Sequence, residues 1–291
     1  MQTVEDLKRK IGSTEDLRSV VKTMKALAAV NIRQYERAVE SLAEYNRTVE
    51  MGLQIALRGR SRVLARPAPR HTLGAIIFGS DQGMCGQLND QIVSYALEVM
   101  GDLGFEEENR AVVAVGERVA GRLEDAGPPV EEYFSVPKSV GSITPMVQEI
   151  VLKIEAWGRE GGIHHIYLFY SRHLSGASFR PHGVHLLPVD QEWLSELEGQ
   201  AWPSRGLPIF TMDWERLFSA LIRQYLFVSL FRGFAESLAS ENASRLASMQ
   251  GAEKNIEEWL GELNTQFHQQ RQMSITEELL DIVAGFEALK D

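Results

Sequence analysis

All ten prolines of this chain fall between Pro67 and Pro208, leaving the first 66 and the last 83 residues without one. Proline lacks a backbone donor and clashes with the preceding helical turn, at a cost of about 3 kcal/mol inside a helix. Glycine follows the same partition, with three in the first segment, four in the last and seventeen between. The pattern predicts two long helical arms, residues 1–66 and 209–291, enclosing a turn-rich domain over 67–208.

Periodicity supports the arms. On a heptad grid begun at Val4, the a and d positions run Val4, Leu7, Ile11, Thr14, Arg18, Val21, Lys25, Ala28, Ile32, Tyr35, Val39, Leu42, Asn46, Val49, Leu53 and Ala56, and twelve of the sixteen are apolar. That is a sustained coiled-coil seam. The second arm starts at Asp213, read as an N-cap, and carries the stripe Leu217, Leu221, Val228, Phe231, Ala235 and Leu238. Its stripe thins from Asn242 to Glu258 and resumes at Trp259, Leu263 and Phe267. It ends in the apolar cluster Leu279, Leu280, Ile282, Val283, Phe286 and Leu289. Gly251 and Gly261 are the candidate breaks, but no proline or turn cluster accompanies them, so one continuous helix is expected. The arms carry opposite charge: 13 Lys/Arg against 8 Asp/Glu in the first, 7 against 13 in the last. A lone amphipathic helix is marginal in water. The two should therefore pair as an antiparallel coiled coil, with the longer second arm projecting an apolar tip that needs another protein to cover it.

In the middle segment, apolar runs alternate with helical patterns. Leu73–Phe78, Ala111–Val115, a run before Pro137, His165–Tyr170 and Val184–Val189 read as strands, and Leu88–Leu103, the stretch to Ala126 and Ile143–Trp157 as helices. This predicts an α/β fold with a largely parallel, Rossmann-like sheet inserted between the arms.

Bulk properties and motifs narrow the chemistry. No apolar run approaches the roughly 18 residues that span a bilayer. The N-terminal MQTVEDLKRK lacks the apolar stretch of a secretory signal. A single cysteine, Cys85, excludes an internal disulfide and fits a reducing compartment. The basic residues of the first arm are dispersed, which argues against nucleic-acid binding. Gly79–Asn89 (GSDQGMCGQLN) lies where phosphates bind in α/β folds, yet it is neither G-x-G-x-x-G nor a P-loop and reads as a structural turn. Five of the seven histidines, His164, His165, His173, His182 and His185, cluster together, but their spacing matches no metal-ligand set. No catalytic, cofactor or metal site is expected.

Three segments carry a resemblance. ESLASENASRLASMQGAEKNIEEWLGEL from Glu236, with RQMSITEELLDIVAGFEAL over Arg271–Leu289, closely resembles the gamma subunits of F-type ATP synthases. VVKTMKALAAVNIR, from Val20 to Arg33, resembles that family's K-I-T-x-A-M-x-x-V-A-A-S-K segment, and SDQGMCGQLN (Ser80–Asn89) its S-D-x-G-L-C-G-x-x-N loop. The segments lie in the family's order; residues 100–207 are only compatible with it. The resemblance implies a non-catalytic rotor shaft, turning inside a hexamer of alpha and beta subunits. Its foot stands with the epsilon subunit on the membrane ring of c subunits, on the cytoplasmic face of the cell membrane. It further implies that Met24 and Lys25 face the moving arms of beta and that Arg271 and Gln272 bond a beta catch loop. Leu280, Val283 and Phe286 are the expected bearing. Thr23 and Val30–Asn31–Ile32 depart from the family pattern, which points to a divergent branch and leaves sodium and proton coupling both open. On the residues alone, a soluble enzyme or a static scaffold with an α/β domain on a coiled-coil stalk remains the alternative.

Overall fold

In the computed structural model the described residues are 3–58, 72–127, 129–160, 162–203 and 205–288. Both proline-free ends are helical: α1 spans Val4–Leu57 and α6 spans Trp214–Ala288. α6 passes Gly251 and Gly261 without a break. All sixteen predicted seam positions of α1 are buried or half-buried, so the heptad grid marks the face that packs. The expected boundary at residues 66 and 67, and Leu289, lie outside the described residues. By packing the chain forms two units, Ala29–Arg245 and Met1–Ala28 with Leu246–Asp291.

The larger unit is built on a five-stranded sheet of order β3-β2-β1-β4-β5. Its strands are β1 Leu73–Phe78, β2 Arg110–Val115, β3 Val130–Phe134, β4 His165–Ser175 and β5 Ser178–Leu187. β3, β2, β1 and β4 are parallel, and β5 returns antiparallel to β4. β1 is buried on both faces along its whole length, which is why it reads as one unbroken apolar run. The last two strands are longer than sequence periodicity indicated. Pro181 and Gly183 look like breakers, but β5 is an edge strand, where a missing donor costs no ladder bond.

Alternate residues of β1 separate two cores. Leu73, Ala75 and Ile77 pack with Ile92, Ala96 and Met100 of α2 (Leu88–Asp102) and with Val119 and Leu123 of α3 (Glu117–Ala126). Ile76 and Phe78 face the other way. They pack with Val147, Ile150 and Ile154 of α4 (Ile143–Glu160), with Leu230, Phe234 and Leu238 of α6, and with Tyr35 of α1. A third core joins Leu42, Leu53 and Leu57 of α1 to Leu194 and Leu197 of α5 (Gln191–Gly199) and to Val228 of α6. Asp190 caps α5 by accepting the Glu192 N–H at 2.9 Å. Within this unit α1 and α6 are antiparallel. Asn31 donates to Asn242 at 3.2 Å, Tyr45 to Gln224 at 2.6 Å, and Trp214 to the Ala56 carbonyl at 2.6 Å.

The smaller unit is a helix pair. Val21, Met249, Ile256 and Leu260 form its core, with Ile11, Met24 and Ala252 packed against them. Leu7 and Leu263 are also buried.

Candidate functional site

Gly79 to Gln87 connects β1 to α2, and the residues of this loop are held from inside. The Ser80 N–H donates to Asn89 Oδ1 at 3.0 Å, Asn89 Nδ2 donates to Ser80 Oγ at 2.9 Å, and Ser80 Oγ donates to the Gln82 carbonyl at 2.9 Å. Asp81 accepts from the N–H groups of Glu117 (3.0 Å) and Val136 (2.9 Å) and from the Tyr133 hydroxyl (3.1 Å). One carboxylate thereby ties together the carboxyl ends of β1, β2 and β3. A Cβ on Gly79 would lie 2.4 Å from Val119 Cβ and 2.5 Å from Asn89 Oδ1, so only glycine fits there. Cys85 is buried, its thiol beside Ser80 and Asn89.

In doubly wound sheets the ligand crevice opens at the carboxyl ends of the strands, where the strand order reverses. Here that point lies between β1 and β4, and α6 crosses it. Ser240 Oγ lies 2.7 Å from the Ser171 carbonyl, two residues past the stretch of β4 that pairs with β1. It shares its proton with the Glu236 carbonyl of its own helix at 2.8 Å. One turn on, Ser244 Oγ donates to the Cys85 carbonyl at 2.5 Å. Arg245 holds Glu241 at 2.8 Å and reaches the Gly83 carbonyl at 3.5 Å. The place where such a sheet takes a nucleotide is thus filled by the chain's own helix. A groove of about 840 Å³ beside the loop carries Asp90, Glu117, Glu124 and Asp125 against Arg118 and Arg122. Arg122 is already paired with Asp90 at 3.0 Å, so the field there disfavours phosphate.

The histidines are spread over strand and hairpin packing. The rings of His165 and His185 stack at 6.0 Å, and Tyr167 lies over His185 at 4.6 Å. His173 links the β4–β5 turn to α1, through Glu36 at 3.2 Å and the Gly176 carbonyl at 3.0 Å. Among the described residues no group of three or more potential ligands is placed to hold a metal.

The partner-facing candidates lie in the smaller unit. Met24 is half-buried against the Val21–Met249–Ile256 core. Lys25, a seam position, binds Glu253 of α6, which Lys22 also approaches at 3.9 Å. The hydrogen bond from Lys25 holds the Glu253 carboxyl below the ordinary glutamate range. Arg271 and Gln272 are exposed. Among the described residues the buried core of this unit ends at Leu263, while α6 continues to Ala288. Leu279, Leu280, Ile282 and Val283 are then 57, 62, 61 and 55% exposed, four large aliphatics on two successive turns. The side chain of Phe286 lies outside the described residues. Periodicity found this apolar tip. It missed Ser240, Ser244 and Arg245; the thinning of the α6 stripe from Asn242 onward was a signal for Ser244, where the helix meets backbone, and nothing in the pattern marked Ser240. Among the described residues no helix is long and apolar enough to cross a membrane.

A family model described as ATP synthase matches residues 3–289. The chain is 28% identical to the ATP synthase gamma chain of Polynucleobacter necessarius, covering 99% of this chain and 100% of that one. It is 27% identical to the ATP synthase gamma chain of Nitratidesulfovibrio vulgaris, covering the full length of both. Among solved structures, it is similar in fold to a chain of the Euglena gracilis mitochondrial ATP synthase rotor. There the TM-score is 0.64 at 16% identity, over 94% of this chain and 98% of that one. A chain of the OSCP/F1/c-ring assembly from the same organism gives a TM-score of 0.67 at 15% identity, over 98% and 94%.

Proposed function

The chain belongs to the ATP synthase family, and from that membership we infer that it is the gamma-type central shaft of a rotary F-type enzyme. It is a non-catalytic subunit. It couples ion-driven rotation of a membrane ring to conformational change in an alpha–beta catalytic hexamer, with an epsilon subunit and the c ring at its foot. The observation that carries the reading is the C-terminal stretch of α6, which runs on past the last buried core residue of its unit with aliphatic side chains open to solvent. An exposed run of that kind marks a protein contact. Filling of the β1/β4 crevice by α6 supports it, because the α/β domain then serves as a mount for the helix.

Within this reading, Leu280, Val283 and Phe286 form the bearing surface inside the hexamer. Arg271 and Gln272, on the preceding turns, hydrogen-bond a beta-subunit loop in this reading, a task suited to a planar multi-donor cation; their exposure is compatible with it. Met24 and Lys25 contribute from α1, with Lys25 also bridging to α6. The assembled enzyme places the chain at the cytoplasmic face of the cell membrane as a peripheral component.

Substituting Leu280→Ser with Val283→Ser tests the bearing. The isolated chain should melt at an unchanged temperature, since both side chains are already solvated. Assembly with alpha and beta subunits should weaken by at least about tenfold, because each aliphatic side chain contributes about 1.5–3 kcal/mol when buried. Co-purification and ATP-driven rotation at unaltered levels would show that the tip is no bearing.

A further inference from the structure

We propose that the paired serines Ser240 and Ser244, with the two backbone carbonyls they hold, form the joint that carries torque between α6 and the α/β domain. The proposal rests on the shaft reading above. Torque about a helix axis loads the contact with the sheet as shear. Apolar burial is non-directional and resists sliding poorly, whereas a hydrogen bond weakens steeply as its geometry departs from line. The Phe78–Phe234 contact, with ring centroids 4.4 Å apart, brings helix and sheet together. Gly233 permits that approach, since a Cβ there would lie 2.9 Å from both Leu168 and Phe78.

The directional bonds lie about two and three turns further on. Ser240 reaches the Ser171 carbonyl of β4 at 2.7 Å, and Ser244 reaches the Cys85 carbonyl of the β1–α2 loop at 2.5 Å. Four residues apart, they share one face of the helix and anchor on two different elements, so together they oppose rotation where one would act as a pivot. Both serines are buried, at 0 and 6% exposure, which keeps water from competing for the carbonyls. Their anchors are main chain, without rotamer play. The Cys85 anchor is stiffened in turn by the Ser80–Asn89 bonds and by Asp81, which passes load on to β2 and β3.

The test uses the assembled alpha–beta–gamma complex fixed through its hexamer, with a bead attached at Glu108→Cys, an exposed position of the α/β domain. Angular fluctuation of the bead in the paused state reads torsional stiffness. Ser240→Ala with Ser244→Ala should widen the angular variance about twofold, since it deletes the two buried hydroxyl-to-carbonyl bonds and leaves the apolar contacts. Thr265→Ala removes a hydroxyl that bonds only its own helix, to Gly261 at 2.9 Å, and should leave the variance unchanged. Should the double variant fail to fold, each single variant should give part of the widening. Variance equal to that of Thr265→Ala in every serine variant overturns the joint. A bead that never rotates, or a chain that does not assemble in its native sequence, overturns the shaft reading instead.

Discussion

Glu236 sits where α6 crosses the sheet, and its carboxyl is poorly served. Its Oε2 makes no hydrogen bond, and Arg172 Nε is 3.7 Å away. Burial pushes its pKa up, against the opposing pull of Arg172, of the Tyr170 hydroxyl, of Arg232 and of His173. A raised folded value means that the folded protein holds the proton more tightly than the unfolded chain does. Stability from this group is therefore greatest with the carboxyl protonated, and falls as pH rises from the ordinary glutamate range through the folded value. Glu236→Gln should raise the melting temperature at neutral pH, and the difference from the native sequence should vanish in acid. A lower melting temperature at neutral pH would show that pairing with Arg172 outweighs burial.

At the scale of elements, the α1–α6 pair of the smaller unit relies on a narrow apolar seam and one charged clasp. Lys25 occupies a seam position and is satisfied by Glu253, whose pKa is lowered first by that hydrogen bond and then by the charges of Lys25, Lys22 and Arg18. A depressed folded value gives stability that is present above the ordinary value of 4.5 and is lost as pH falls through the folded one. Lys25→Gln should therefore speed amide exchange at Met249–Leu260 near neutral pH. The gap to the native sequence should close below the carboxylate range. A gap that persists in acid would mean that Lys25 acts through its aliphatic stem. The seam itself was legible in sequence, because a heptad repeat states which face packs whatever the partner is. Both long helices were legible for a complementary reason, the exclusion of proline from helix interiors. The β4–β5 hairpin was less so. Its length depends on β5 being an edge strand, and edge position is a property of the sheet.

For the whole molecule, burial among the described residues of the smaller unit ends at Leu263, and helix continues to Ala288. Truncation after Gln270 should leave the melting temperature of the isolated chain within about 2 °C, as expected when no core is removed. Coupled ATP-driven rotation in the assembled enzyme should be lost. A large fall in melting temperature would mean that the tip folds back on the chain. The two outcomes separate a segment made for a partner from one made for the fold.

By itself the sequence determined that the ends are helices, which face of α1 is buried, that an α/β sheet lies between them, and that the second arm closes in an apolar cluster. Each of these rests on local rules of period, breaker and burial that act within a few turns of chain. Only the tertiary structure decided that α6 fills the β1/β4 crevice, that Ser240 and Ser244 bond the carbonyls of Ser171 and Cys85, and that Lys25 turns inward to Glu253. Those contacts join residues 69, 159 and 228 positions apart. A backbone carbonyl carries no side-chain signature, so nothing in the sequence near Ser171 or Cys85 announces the hydroxyl that will reach it.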